Sequence, residues 1–295
     1  MSTIITGDQA TGQLLALGLR SGPRPGGGDR GGPEWTVRWR WSPQSDLADL
    51  VPADSWQLVS EVKPRWYRGK RLLLTCASGG LAAVVAFPGG RVLWATRLPD
   101  LNPHSLEVLP GGHIAVAASS PGTVRLYPAS TSPRGVACTA FALHGAHGVC
   151  WDDARQVLWA LGAEHLLALR PTGDRRSPAL TEQLRLPLAV PGGHDLEHVA
   201  RHPGRLWVTG EAGVRQFDTR RLAFLPPPDP DLAHLSSVKS VGDDPATGQI
   251  LTTRPEPGNP EPWDTATLRL HRPTGLVHLP GSAVYKARWL PWLPW

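Results

Sequence analysis

The sequence predicts an all-β protein: one six-bladed β-propeller over residues 1–295, closed by a C-terminal inner strand with N-terminal outer strands. Three observations carry that prediction. A histidine or lysine opens a strand-like run six times, at Lys63, His104, His147, His194, Lys239 and Lys286, at intervals of 41, 43, 47, 45 and 47 residues. A period in the forties fits four-stranded propeller blades. The runs are short and apolar, and they are cut by turns rich in glycine and proline, of which the chain has 32 and 31. Finally, the sixth repeat stops after one strand, and the N-terminus offers the strands it lacks.

Taken in order, Thr3 to Gly7, Gln13 to Gly18 and Glu34 to Trp39 read as the three N-terminal strands. Gly22 to Pro33 reads as a flexible surface loop. Asp46 to Trp56, with Leu47, Leu50 and Val51, reads as a short helix over one face. The repeat at His104 runs to Leu109, turns at Pro110-Gly111-Gly112, continues from His113 to Ala118, and turns again into Thr123 to Tyr127. The next has His147 to Trp151, Val157 to Gly162 and His165 to Leu169. The fourth has His194 to Val199, Arg205 to Thr209 and Gly213 to Phe217. Lys239 to Val241 leads through Asp243-Asp244-Pro245 to Gln249 to Thr253, and Tyr285 to Trp289 opens the incomplete repeat. An open ring would leave unpaired strand edges, so both termini are expected to share one blade. The thirteen tryptophans are expected to fill the spaces between blades, with Trp292 and Trp295 locking the seam.

Composition narrows the function. A net charge of +5 comes from scattered arginines without clusters, which argues against nucleic acid and against a polybasic membrane surface. An anionic small molecule remains compatible. Cys76, Cys138 and Cys150 have no metal-motif spacing, and Cys76 and Cys150 read as buried thiols. No run approaches the roughly 20 apolar residues of a membrane span. The first residues lack a basic segment followed by an apolar stretch, so a cytoplasmic protein is expected.

Six basic residues in phase would converge on one axis. Three readings follow. His104, His147 and His194 could bind a divalent metal and leave an open position. They could act without metal as base, acid or nucleophile while Lys63, Lys239 and Lys286 grip an anion. Or the ring could merely plug the channel. Two like charges 4 Å apart cost about 4 kcal/mol at an effective dielectric near 20, so converging lysines need partners. Glu61, two residues before Lys63, is the better partner; Asp195 should point to the opposite face of its strand from His194. Arg65 and Arg288 lie two residues past a ring lysine and should bind a carboxylate or phosphate. His198 falls on the channel side. Asn102 and His144 are placed to rim the mouth, and Trp263 and Asp264, with Asp8 and Gln9, are further candidates there.

The segments Glu61-Val-Lys-Pro, Asn102-Pro-His-Ser-Leu-Glu-Val-Leu-Pro-Gly-Gly, Gly145-Ala-His-Gly-Val-Cys-Trp-Asp, Gly193-His-Asp-Leu, Val238-Lys-Ser-Val and Tyr285-Lys-Ala-Arg-Trp resemble an uncharacterised bacterial six-bladed β-propeller family, a domain of unknown function. The resemblance spans nearly the whole chain and implies the fold without an activity. More distantly, the hairpin from His104 to Pro110-Gly111 is similar to those of oligogalacturonate lyase, whose channel histidines hold a manganese-type ion. It is also similar to those of bacterial arylsulfotransferases, whose channel histidines and an arginine transfer a sulfuryl group. Both likenesses are at the level of fold.

The expectation drawn from these residues is a metal-dependent lyase or isomerase acting on an anionic, carbohydrate-like small molecule. His104, His147 and His194 would hold the metal, the lysines would anchor negative charge, and a lysine, His198 or Glu61 would move a proton. Arg65, Arg288, Trp263 and Asn102 would contact the substrate. The alternatives are a metal-free histidine group transferase and a non-catalytic propeller that binds a ligand or protein.

Overall fold

The computed structural model describes residues 2–19, 34–43, 47, 54–135, 138–259 and 261–291. Their strands form six four-stranded antiparallel sheets, and no α-helix occurs among the described residues. The loop expected over 22–33, most of the helix expected over 46–56, and Trp292 and Trp295 lie outside the described residues.

The closing blade joins both ends of the chain. β1 (Thr3–Asp8), β2 (Gln13–Leu19) and β3 (Trp35–Trp41) lie outside the C-terminal β24 (Val284–Trp289), in the order β24-β1-β2-β3. The other five blades are sequential hairpins. They open with the inner strands β4 (Val59–Tyr67), β8 (Pro103–Val108), β12 (Gly148–Asp152), β16 (Asp195–His198) and β20 (Ser240–Asp243). The sealed six-bladed ring expected from the sequence is the one observed.

Six apolar clusters lie one at each blade interface. Middle strands are therefore sandwiched on both faces, which is why Leu72 to Ala77 is buried without alternation, with Thr75 its one polar residue. Trp41, Trp56, Trp94, Trp159, Trp207 and Trp289 are buried in these interfaces, as their count suggested. Gly7 permits the seam to close, because a Cβ there would overlap Val59 Cγ1 of the next blade.

Polar staples cross the same interfaces. Asp243 accepts from the Trp207 indole N–H (2.7 Å) and the Ala200 N–H (2.9 Å) of the preceding blade. Asp243→Ala orphans the buried indole donor and is expected to cost about 1–3 kcal/mol. A urea melt reads that loss, and an unchanged midpoint would show the staple to be dispensable.

Candidate functional site

The inner strands β4, β8 and β24 enter the channel through a bulge, and the other three through a doubled hydrogen bond at the strand's start. In β8 the register shifts between Pro103 and Ser105, leaving His104 unpaired; in β4 it shifts between Val59 and Glu61, leaving Ser60. Asp195 pairs with Thr209, yet His194 also donates its N–H to Thr209 O (3.1 Å). His147 on Leu161 O (2.8 Å) and Lys239 on Thr253 O (2.9 Å) repeat the pattern. A bulge sets two residues against one and breaks strict alternation. Asp195 consequently shares the channel side with His194, a correction to the opposite-face expectation.

One hydrogen bond fixes the phase of the blades. Ser105 Oγ accepts from Val149 N–H (3.4 Å), Asp195 Oδ2 from Val241 N–H (3.0 Å) and Ser240 Oγ from Ala287 N–H (3.0 Å). Val149 and Val241 stand two residues past His147 and Lys239, so Ala287 gives the sixth place to Tyr285. The bulge in β4 gives the first place to Ser60. The mouth ring is thus Ser60, His104, His147, His194, Lys239 and Tyr285. Lys63 and Lys286 stand deeper, three residues and one residue along their strands.

The three imidazoles do converge. The rings of His104 and His147 stack with centroids 4.2 Å apart, His194 meets His147 edge-on at 5.4 Å, and Tyr285 lies 5.5 Å from His104. Burial first, and then a basic neighbour (His147 for His104, His194 for His147, Lys239 for His194), holds all three neutral: His104 is pushed well below the ordinary histidine range, His147 down to about 3, and His194 downward. His147 Nδ1 lies 3.2 Å from Gly145 O, which assigns its proton there and leaves Nε2 as an acceptor. Lys239 Nζ lies 3.0 Å from His194 Nε2, and Glu211 Oε1 lies 2.7 Å from the same nitrogen.

Below the ring the channel is filled by a neutral block of four cations and four carboxylates. Arg288 binds Glu61 (2.8 Å) and Asp195 (2.6 Å), each through two nitrogens. Lys286 adds contacts to Asp195 (3.2 Å) and Glu61 (3.5 Å). Lys63 donates to Ser105 Oγ (2.9 Å) and Val149 O (2.7 Å) and stands 4.0 Å from Glu61. Arg65 spans Glu107 (2.8 Å) and Glu197 (2.9 Å). Burial would raise these carboxyls, but the adjoining cations prevail: Glu61 and Glu197 are lowered, and Asp195 falls to about 2. Lys63, Lys286, Arg65 and Arg288 therefore spend their charge inside the protein, not on a ligand. The sequence placed three lysine side chains at the mouth; the fold leaves one, Lys239.

Lys239 opens onto a cavity of about 310 Å³ together with His104, Tyr285, Asn102, Gln9 and Trp263. Trp263 donates its indole N–H to Gln9 Oε1 (3.3 Å). Asn102, Trp263 and Gln9 thus meet at the mouth as their loops suggested. Asp8 is instead used by the Ala10 and Ala283 N–H groups, and Asp264 is buried against Asn259. His198 lies at the other end of its strand, exposed at the opposite mouth beside Arg65. Four extended residues span about 13 Å, so His198 serves a different opening from the imidazoles.

A metal was expected on the ring histidines. Their nitrogens do not close into a tripod: among the described residues, only Cys150, Glu197 and His198 bring three such donor atoms within 4.8 Å of one another. The stacked His147 would have to leave His104 to offer a third bond. The Cys150 group suits a cation no better. Arg65 Nη2 already holds Glu197 and stands 4.0 Å from the thiol, which burial keeps protonated.

Tyr285, Glu197 and Glu211 escape the spacing argument. Glu197 had a findable signal, since Glu107 and Glu197 each stand three residues past a ring histidine. Tyr285 and Glu211 had none without the register.

A closed six-bladed propeller with a polar mouth above a buried charged block is the class that this fold and site define. The chain belongs to the family of unknown function DUF6528, whose model matches residues 35–291. No curated protein matches it. Among the described residues, no helix is long and apolar enough to cross a membrane.

Proposed function

We propose that the protein is an enzyme that moves protons on a small, carbohydrate-like molecule held in the mouth cavity, in a lyase or isomerase reaction. One observation carries this reading: Lys239, the one channel lysine without a carboxylate within 4.0 Å among the described residues, lines a cavity of sugar size with His104 and Tyr285 and lies against His194 of the same imidazole cluster. Trp263 offers an aromatic face for a sugar ring, and Asn102 and Gln9 offer amides for hydroxyls. The neutral imidazoles of His104 and His194 flank Lys239, whose amine can take or give a proton beside a bound carbonyl.

Solvent-deuterium exchange tests the proposal. Aldoses, ketoses and uronic acids are incubated separately with the protein in D2O, and carbon-bound deuterium is followed by NMR. Exchange into at least one of them is expected, falling on the order of 10²-fold in His194→Ala. Tight binding without exchange would make the protein a binding module. Stoichiometric metal lost in His147→Ala would restore the metal-dependent reading.

A further inference from the structure

The chain has 30 lysines and arginines, and only four are lysines: Lys63, Lys70, Lys239 and Lys286. Lys63 and Lys286 are buried in the ion block, and Lys70 is exposed on a hairpin. Lys239 differs from all three. Its amine is half-sheltered, has no carboxylate within 4.0 Å among the described residues, and faces a cavity.

Its hydrogen bonding is unusual for an ammonium. His194 Nε2 stands 2.7 Å from Glu211 Oε1 and 3.0 Å from Lys239 Nζ, while His194 Nδ1 is buried without a partner. A ring nitrogen cannot donate to a carboxylate and accept from an ammonium at once. A proton on Nε2 satisfies both neighbours only if the lysine is a neutral amine whose lone pair accepts. Burial and the nearby Lys286 also hold Lys239 below the ordinary lysine range, with Glu211 opposing them.

We propose that Lys239 is a nucleophile that forms an imine with a small hydroxy-aldehyde or hydroxy-ketone bound at the mouth, with His194, held in place by Glu211, relaying its protons. This rests on the reading of the mouth as a small-molecule site. The amine nitrogen adds to the carbonyl carbon as the C=O π bond opens; His194 Nε2 gives its proton to the oxygen and then takes one from the nitrogen, with Glu211 holding the ring in place. The second amine proton follows as the C–O bond breaks, so the oxygen leaves as water and the C=N bond forms. No redox partner is needed. An imine also acidifies the neighbouring C–H bond, which is the proton transfer that an isomerase or lyase requires.

The test uses the intact protein, D-glyceraldehyde and dihydroxyacetone as separate probes, and cyanoborohydride to fix any imine. Peptide mass spectrometry then compares Lys239 with Lys70, the exposed internal reference. Labelling at Lys239 at least tenfold above Lys70 is expected, with no labelled counterpart at position 239 in a folded Lys239→Arg variant. Equal or weaker labelling at Lys239 overturns the imine. Sorbitol, which has no carbonyl, separates the two ideas. If sorbitol shifts the NMR signals of the mouth while neither probe labels Lys239, the imine falls and the small-molecule site stands. If sorbitol fails to bind and neither probe labels Lys239, both fall.

Discussion

Arg288→Leu is expected to destabilise the protein by roughly 3–5 kcal/mol, because it leaves two buried carboxylates without their main partner. Arg288 projects from β24 and grips Glu61 of β4 and Asp195 of β16. It therefore ties the closing blade to its neighbour and to a blade across the channel. All three side chains are almost fully buried. Lys286 contacts both carboxylates but cannot supply the five charged hydrogen bonds that Arg288 makes. Adding Glu61→Gln and Asp195→Asn to Arg288→Leu removes the uncompensated charge and should recover part of the loss. Denaturant melts of the single and triple variants decide it: a single variant as stable as the parent would show that the ion block does not hold the ring.

The second large effect is acid sensitivity that begins near neutrality. Unfolded, a histidine titrates near 6.5; folded, His147 titrates at about 3, and His104 and His194 lie below their ordinary range. The unfolded chain thus takes up protons below pH 6.5 that the folded chain refuses. Stability present above pH 6.5 is lost as pH falls toward 3, at about 1.4 kcal/mol per pH unit for each such histidine. For His147 alone the loss by pH 4.5 is roughly 2–3 kcal/mol. The carboxylates act later: Asp195, with a folded value of about 2 against 3.8 unfolded, gives up its contribution only below about pH 4. Urea melts at pH 7.5, 6.0 and 4.5 separate the two windows. Replacing His104, His147 and His194 by glutamine should flatten the upper window, and a parent protein equally stable at all three values would refute the neutral cluster.

The ring of blades is legible in the sequence because a buried blade repeats its apolar strands and turns at fixed intervals. His104, His147, His194 and Lys239 share a mouth because they occupy the same place in four successive repeats. The two outer members of the pattern mislead for a local reason. Lys63 and Lys286 have the right residue type at nearly the right spacing, but bulges in β4 and β24 shift the phase, and the true occupants are Ser60 and Tyr285. Asp195 was misplaced for the same reason, since alternation holds only where strand pairing is one to one. The destination of Arg65 and Arg288, a protein carboxylate, follows from charge balance across blades far apart in sequence. No single strand displays that balance.

The salt-linked block under the mouth also makes the axis a blind well. With Lys63, Lys286 and Arg288 filling the bore, whatever enters past Trp263 and Lys239 must back out through the same doorway. Newcomer and departing molecule compete for one threshold, so a bulky cap lodged there would halt arrival and release together.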